Sequence, residues 1–154
     1  MKAQRKEKGF TIIEVVLVLA IAGLIFLMVF IALPALQRSQ RDTQRKNDLS
    51  RLNTALSSYQ SNNRGALPTD AASWTSFVTR YVTVNGDTFV DPSGTNYNLS
   101  TTASLPTSFN ASTPVIRATV GATCNGENIT TGQGARKVAF QMKLEGSGTA
   151  CQNN

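Results

Sequence analysis

Residues 8–23 read KGFTIIEVVLVLAIAG, and this stretch decides the fold of the amino-terminal part of the chain. It leads into a run without any charged residue that extends from Val15 to Leu36. At about 1.5 Å per residue, a helix of this length spans roughly 33 Å, enough for a hydrocarbon core of about 30 Å. We therefore predict a membrane-spanning helix, rather than a buried core helix or the shorter apolar region of a cleaved secretory signal.

The composition limits the chemistry that the chain can perform. It has no His, only nine acidic residues and only two Cys. These counts exclude a Ser-His-Asp triad, a Cys-His dyad and a zinc site with histidine ligands. We therefore predict that the protein is not an enzyme and holds neither a metal nor a cofactor. Half of the net charge of +6 lies in the first eight residues, a segment too short to fold.

Glu14 is an acidic residue near the start of the apolar run. A carboxylate at the centre of a bilayer helix costs roughly 2.5 to 3.5 kcal/mol and less near the interface, so such a residue predicts a function. If the chain is cut between Gly9 and Phe10, the new amine of one chain can neutralise Glu14 of its neighbour. That pairing would select one register of lateral helix packing. The alternative is a contact within the chain between Glu14 and Lys8.

A short basic leader, then KG, then FTIIE and an apolar helix together resemble the class III leader of type IV pilins and their relatives. The resemblance covers residues 1 to about 60. It implies that a prepilin peptidase cleaves after Gly9 and methylates the amino group of Phe10. It also implies assembly through Phe10, Thr11 and Glu14.

The resemblance implies partners as well. These are other pilin subunits in a helical homopolymer, the prepilin peptidase, an assembly ATPase with its membrane platform, and the membrane before assembly. The expected location is the cytoplasmic membrane, with the head outside, and then an extracellular filament. Two alternatives stay open: a pseudopilin of a type II secretion or competence system, and a signal-anchored surface protein that never assembles.

Two residues predict irregularity within the apolar helix. Pro34 removes one backbone hydrogen bond and crowds the carbonyl four residues earlier, so we expect a kink or a melted stretch there. Gly23 lowers the cost of unwinding by roughly 1 kcal/mol relative to alanine. Proteins with this leader commonly have a helix proline about one turn earlier, which places the expected kink later here. A simple bend at the membrane exit is the other interpretation.

The helix is predicted to continue beyond the membrane, over residues 37–62, until the stop signal SNNRG. Leu49, Leu52, Leu56 and Tyr59 fall on one helical face, which predicts that a head domain packs there. A coiled coil is the alternative.

Four basic residues occupy the start of this continuation: Arg38, Arg41, Arg45 and Lys46. We predict that they form a solvated patch or a patch that faces lipid headgroups. Salt bridges to Asp42 and Asp48 of other subunits are an alternative. Nucleic-acid binding by this patch is weakly supported, since no aromatic residues are interleaved for base stacking.

Residues 63–154 are predicted to form the globular head. Trp74, Phe77, Val78 and Tyr81 have helical spacing, which predicts a short helix over residues 71–81 capped by Thr69 or Asp70. PVIRATVGA and KVAFQMKLE read as strands, the second with one solvent-exposed face. The polar segment CNGENITTGQG between them is predicted to be a long loop. Asp87 and Asp91 lie among turn signals, and turn chemistry explains them better than calcium binding.

The two cysteines, Cys124 and Cys151, either pair or remain free thiols. A disulfide would close a loop of about 28 residues and stabilise the fold by roughly 3.5 kcal/mol. The resemblance supports pairing, because pilins commonly have a disulfide near the carboxyl end. A disulfide belongs outside the cytoplasm, which places the head outside and the leader inside.

These patterns predict an α+β fold in which a long amino-terminal helix packs against a small antiparallel sheet. The predicted organisation is a leader at residues 1–9, a membrane and filament-core helix at 10–36, its amphipathic continuation at 37–62, and a head at 63–154. The function predicted from the resemblance is that of a structural subunit of a type IV pilus.

Overall fold

The structure is a computed structural model that describes residues 9–154, apart from the side chain of Asn85. The predicted leader, except for Gly9, therefore lies outside the described residues. The chain divides into two compact units, one that ends at Gln37 and one that runs from Arg38 to Asn154. We call them the first and the second unit.

The first unit consists of the amino-terminal part of helix α1, which spans Ile12–Asn62. The predicted helix over the apolar run is confirmed, and it is long and apolar enough to cross a membrane. Pro34 lies inside α1, and the helix continues on both sides of it. A kink at Pro34 and easier unwinding at Gly23 stay predictions.

The predicted amphipathic continuation of α1 is confirmed in the second unit. Leu49, Leu52 and Leu56 are fully buried there, and Tyr59 packs against the core from its edge. The ring of Tyr59 meets the ring of Phe77 edge to face, with 5.7 Å between the ring centroids. This face of α1 is therefore covered by the rest of the second unit and not by a coiled-coil partner.

The predicted short helix is also confirmed. Helix α2 spans Ala71–Phe77 and is followed by one π-helical turn over Val78–Val82. Asp70, one of the two predicted caps, begins α2: its carboxylate accepts from the backbone N–H of Ser73 at 2.7 Å. The Ser73 hydroxyl in turn accepts from the backbone N–H of Asp70 at 3.0 Å, which completes a reciprocal cap.

The sheet has four strands in the order β1-β2-β5-β6. Their bounds are Asn98–Ser100 for β1, Val115–Val120 for β2, Val138–Lys143 for β5 and Thr149–Asn153 for β6. The pairs β2–β5 and β5–β6 are antiparallel, whereas β1 runs parallel to β2. The sheet is thus mostly antiparallel, as predicted, and it packs against the buried face of α1 and against α2.

The prediction that the second strand has one solvent-exposed face is wrong. Phe140 and Met142 are buried as expected, but Ala139 and Gln141 on the opposite face are buried too. The reason is a hairpin that the sequence analysis missed: β3, Ala122–Asn125, pairs with β4, Asn128–Thr131. The side-chain amide of Gln141 donates to the carbonyl oxygen of Glu127 in the turn of this hairpin, at 2.8 Å.

The predicted long loop between the two strands is therefore mostly a hairpin. Gly126 and Glu127 form its two-residue turn, in which Gly126 has a φ of 61°. A glycine at positive φ in the first turn position is the requirement of a type II′ turn, whose twist suits an antiparallel pair. The dipeptide Asn125-Gly126 was the available signal.

Candidate assembly site

The amino-terminal end of α1 brings together Thr11 and Glu14, two of the predicted assembly residues. The Glu14 carboxylate accepts from the backbone N–H of Thr11 at 2.9 Å and from its hydroxyl at 2.8 Å. The Thr11 hydroxyl also accepts from the backbone N–H of Glu14, at 3.4 Å. This is a capping box, in which each residue satisfies an otherwise unpaired N–H group of the other at the helix start.

The capping box gives Glu14 a partner within its own chain that the sequence analysis missed. The signal was the pattern T-x-x-E before an apolar run. The alternative contact of Glu14 with Lys8 lies outside the described residues. Among the described residues, the cap uses one carboxylate oxygen of Glu14 as acceptor, Oε2, and the other oxygen has no donor there, so it can accept from a neighbouring chain.

The surface around this cap is apolar and exposed. Phe10 is 88% exposed, and large apolar side chains follow it around the whole circumference of α1 up to Leu36. A helix that is apolar on all sides requires lipid or other protein around it. The first unit thus combines a polar cap at its start with an apolar surface whose exposure to water is unfavourable.

The comparison with known protein families bears on this segment. Residues 4–30 match the family model of the prokaryotic N-terminal methylation motif. The matched segment is similar to the class III leader that type IV pilins and pseudopilins carry. No curated protein and no solved structure matches the chain.

The matched motif supports a type IV pilin-like or pseudopilin protein. Proteins of this kind are structural rather than catalytic. The leader and the apolar helix also indicate a protein that is anchored in a membrane. They imply processing by a prepilin peptidase and assembly with other pilins.

In the second unit, a cluster of charged residues, buried at Asp42, Arg45 and Asp91 and half-buried at Arg41 and Glu145, joins α1 to the loops around the sheet. We call it the Arg45 cluster, and it consists of Arg41, Asp42, Arg45, Asp91 and Glu145. Arg45 has no exposed surface, and its guanidinium binds both carboxylate oxygens of Asp91 at 2.7 and 2.9 Å. The same guanidinium donates to Asp42 at 2.9 Å and to Glu145 at 3.2 Å.

The acidic members of the Arg45 cluster organise two loops. Asp42 accepts from the backbone N–H groups of Glu145 and Gly146, at 2.9 and 2.7 Å, and so holds the loop between β5 and β6. Asp91 accepts from the backbone N–H of Ser93 at 2.9 Å, within the turn that follows it. The predicted turn role of Asp91 is therefore confirmed, and its pairing with Arg45 is an additional role.

Electrostatics keep the cluster ionised. Hydrogen bonds from Arg41, whose guanidinium binds both oxygens of Glu145, lower the pKa of Glu145 from 4.5 to about 2. Burial by itself raises the pKa of Asp91, but the hydrogen bonds from Arg45 and Ser93 outweigh it, so the net shift is downward. Burial lowers the pKa of Arg45, yet its carboxylate partners raise it further than burial lowers it.

The Arg45 cluster corrects the prediction of a basic patch after the membrane helix. Arg45 is buried and Arg41 is engaged by Glu145, so neither guanidinium is a free surface charge. Asp42 is likewise used within its own chain, which leaves it unsuited to a salt bridge with another subunit. Of the four basic residues, Lys46 fits the solvated patch, and Arg38 lies 4.0 Å from Glu145 with most of its side chain exposed.

Asp48 is also occupied within its own chain, although it was an alternative partner for other subunits. Its carboxylate accepts from the hydroxyl of Tyr97 at 2.7 Å. Burial raises the pKa of Tyr97, and the neighbouring Asp48 carboxylate raises it further, so the phenol keeps its proton and remains a donor.

The predicted disulfide between Cys124 and Cys151 is confirmed. It joins β3 of the hairpin to β6 at the edge of the four-stranded sheet, and the two Cα atoms are 5.8 Å apart. The side chain of Asn153 adds a hydrogen bond beside it, accepting from the backbone N–H of Cys124 at 3.0 Å. Together these contacts fasten the hairpin and the last strand to each other.

Proposed function

We propose that the chain is a structural subunit of a type IV pilus that polymerises through the first unit. The observation that carries the proposal is the methylation motif at residues 4–30, which runs directly into an apolar helix with no buried face. A prepilin peptidase would remove residues 1–9 and methylate the new amino group of Phe10. Before assembly, the first unit anchors the chain in the cytoplasmic membrane.

Assembly then follows from the energetics of the exposed helix. Lateral packing of the apolar surface of many copies keeps that surface away from water once the subunit leaves the bilayer. The newly generated amino group of Phe10 in one copy would meet Glu14 of a neighbour. The carboxylate oxygen of Glu14 that the cap does not use accepts a hydrogen bond from this amino group. A charge pair of this kind, inside an apolar interface, favours the one helix register in which both charges are neutralised.

The capping box provides a way to test whether the charge of Glu14 matters. Glutamine is accepted at the same position of a capping box, so Glu14→Gln removes the charge and keeps the cap. We expect Glu14→Gln to insert and to be cleaved normally, yet to be missing from filaments. Thr11→Val, which removes the hydroxyl and keeps the charge, should still be incorporated. The measurement is quantification of each variant in the membrane and in sheared filaments.

Two outcomes would contradict this assignment. If Glu14→Gln enters filaments as well as the unmodified chain and Thr11→Val does not, the role of Glu14 is the helix cap rather than charge pairing. If the mature protein still begins at Met1 by intact mass, the signal-anchored alternative replaces the pilus subunit. The expected mass is that of residues 10–154 plus one methyl group.

The pseudopilin alternative shares the same leader and the same apolar helix. The two roles differ in where the polymer is found, and electron microscopy of sheared surface material therefore distinguishes them. Long surface filaments composed of this chain support the pilus subunit, whereas its retention in the cell envelope supports the pseudopilin. Mass spectrometry of the sheared material identifies the subunit.

A further inference from the structure

The carboxyl end of α1 borders an open cleft with three basic residues. Its volume is about 620 Å³, and Arg64, Arg136 and Lys137 line it, all of them exposed. Among the described residues, no carboxylate oxygen lies within 4.0 Å of these three cations. The other lining residues are small or polar: Ser57, Gln60, Ser61, Gly65 and Asn154. The cleft is therefore a concave, positively charged surface.

Side-chain hydrogen bonds fix the backbone of this cleft. The carbonyl oxygen of Arg136 accepts from Gln60 at 2.8 Å and from Asn154 at 3.0 Å. The ammonium group of Lys137 donates to the carbonyl oxygen of Asn154 at 2.7 Å. The guanidinium of Arg136 donates no hydrogen bond within the described part of the chain, so it is available to a partner.

The turn of the β3–β4 hairpin is a second charged surface, of the opposite sign. We call residues 125–128 the hairpin tip; all four are exposed, and Glu127 carries the charge. The carboxylate oxygen Oε2 of Glu127 accepts from the backbone N–H of Thr149 at 3.1 Å. Within residues 9–154, the other oxygen has no donor, and no Lys or Arg nitrogen lies within 4.0 Å of this carboxylate.

The other acidic residues of the second unit are engaged in its internal structure. Four of them pair with arginines, Asp48 accepts from Tyr97, and Asp70 belongs to the reciprocal cap of α2. The four paired residues are Asp42, Asp87, Asp91 and Glu145. Glu127 thus remains as the exposed carboxylate on a projecting turn.

The hairpin tip and the cleft lie at opposite ends of β5. Lys137 directly precedes this strand. Thr149, the donor to Glu127, pairs with Lys143 at the other end of the strand. At about 3.3 Å per residue, six residues separate the two ends by roughly 20 Å. The tip and the cleft of one chain therefore cannot form an ion pair with each other.

We infer that the hairpin tip of one copy binds in the cleft of a second copy, where Glu127 meets Arg64, Arg136 and Lys137. The charges are opposite, and a convex turn faces a concave surface. The polar side chains of the cleft also provide hydrogen-bond partners for Asn125 and Asn128 of the tip.

The placement of the two surfaces gives this contact a direction. Because the tip and the cleft are different surfaces, each copy can use both at once, and such a heterologous contact repeats along an open polymer. The contact presupposes the proposed pilus role and adds to it a polar link between second units, beside the apolar packing of the first units.

The hairpin tip is held in its shape before it meets a partner. The side-chain amide of Gln141 donates to the carbonyl oxygen of Glu127, and the disulfide fastens β3 to β6. A preorganised surface loses little conformational freedom on binding. The opposite charges then favour this pairing over others, since like charges that face each other across an interface oppose association.

The test reverses the charge of each surface in the full chain and measures the yield of sheared filaments. The tip variant is Glu127→Lys, and the cleft variant is Arg64→Glu with Arg136→Glu. Each variant places like charges opposite each other, so we expect normal membrane insertion and cleavage but a filament yield at least about fivefold lower. The chain with all three substitutions restores opposite charges and should recover the yield to within about twofold.

Co-expression of the tip variant and the cleft variant gives a second readout. Each fails alone, but in a mixed filament every positive tip can meet a negative cleft, so the two should assemble in alternation. Mass spectrometry of the sheared material should find both variants in similar amounts. The matched controls, Asp87→Lys and Arg80→Glu, reverse exposed charges that belong to neither surface and should keep the yield within about twofold. Unchanged urea unfolding, followed through Trp74 fluorescence, establishes that each variant is folded.

Three results would overturn the contact. Normal filament yields from the tip and cleft variants remove it and leave the pilus role intact. Losses that neither the combined chain nor co-expression recovers mean that the tip and the cleft do not face each other. If the unmodified chain forms no filaments, the pilus role fails and this contact fails with it.

Discussion

Arg45 connects several separate segments of the second unit through a single side chain. Its guanidinium binds Asp91, Asp42 and Glu145, and it lies over the ring of Phe109, with 3.9 Å between Cζ and the ring centroid. A buried ion pair adds little stability compared with apolar packing, but removal of one partner leaves an uncompensated charge. The cluster therefore defines where the loops meet α1 more than it adds to the total free energy of unfolding.

We predict that Arg45→Met reduces the free energy of unfolding by about 3–5 kcal/mol, because it leaves the fully buried Asp91 carboxylate without its guanidinium. Urea unfolding of the full chain in detergent, followed by the fluorescence of Trp74, measures the change. Trp74 is the only tryptophan and is buried in the core, so its signal reports on the second unit alone.

Two companion variants separate charge from packing. Adding Asp91→Asn to Arg45→Met removes the orphaned charge and should recover part of the loss. Arg51→Met breaks the ion pair with Asp87, whose side chain is 69% exposed, and that pair is worth at most about 1 kcal/mol. If Asp91→Asn worsens the Arg45→Met variant, the uncompensated charge is not the cause of the instability.

The depressed pKa of Glu145 predicts how stability changes with pH. Its folded pKa is about 2, below the ordinary value of 4.5, so the folded state binds the proton less readily than the unfolded state. The stabilisation is complete above about pH 4.5 and is lost as the pH falls toward 2. Because Glu145 is partly exposed to solvent, we expect this stabilisation to be about 2 kcal/mol, less than the pKa shift alone would give.

We expect Glu145→Gln to be less stable than the unmodified chain near neutral pH, with a difference that shrinks between about pH 4.5 and pH 2. Unfolding free energies at a series of pH values measure this. A difference that stays constant over the whole range would mean that Glu145 acts through its shape and not through its charge.

Among single residues, sequence reasoning predicted features that depend on local spacing in the chain, although it missed the capping box of Thr11 and Glu14. The helix periodicity of Leu49, Leu52 and Leu56 predicted their burial, and the position of Asp70 predicted its cap. The partner of Arg45 was not predictable in the same way. Asp91 lies 46 residues away, and only the packing of the loop against α1 brings the two together.

At the scale of elements, the hairpin β3–β4 and its disulfide form a second layer over the sheet. Gln141 and Ala139 are buried because this layer covers the face of β5 that alternation predicted to be solvent-exposed. A two-residue alternation describes a strand covered on one side only. The sequence of β5 alone could not reveal the cover, since it comes from a hairpin whose own strands are polar and short.

We predict that Cys124→Ser with Cys151→Ser lowers the free energy of unfolding by about 3–4 kcal/mol, because the disulfide joins residues 27 positions apart and so restricts the unfolded chain. The measurement is the same urea unfolding, with the unmodified chain under reducing conditions as a second comparison. Reduction and double substitution should give equal losses. A loss below about 1 kcal/mol in both would mean that the unfolded chain does not gain the expected freedom.

For the whole molecule, the division into two units has a direct consequence. The hydrophobic core, the Arg45 cluster and the disulfide all lie between Arg38 and Asn154, whereas the exposed apolar residues of α1 lie before Gln37. Length and the absence of charge over residues 15–36 were enough to predict the first unit. The internal contacts of the second unit, and hence its boundary with the first, required the structure.

We predict that a chain truncated to residues 38–154 remains folded and soluble without detergent, since it keeps every residue of the core and of the Arg45 cluster. Size-exclusion chromatography should give a monomer, and urea unfolding should give a Trp74 transition close to that of the full chain. A second truncation, to residues 48–154, is the control: it removes Arg45 and Asp42 and leaves Asp91 buried without a cation. That chain should be less stable by at least about 3 kcal/mol or fail to fold. If the chain of residues 38–154 is much less stable than the full chain, residues before Arg38 contribute to the stability of the second unit, and the division between Gln37 and Arg38 does not mark an independent folding unit. If the two truncated chains are equally stable, the Arg45 cluster does not contribute as predicted.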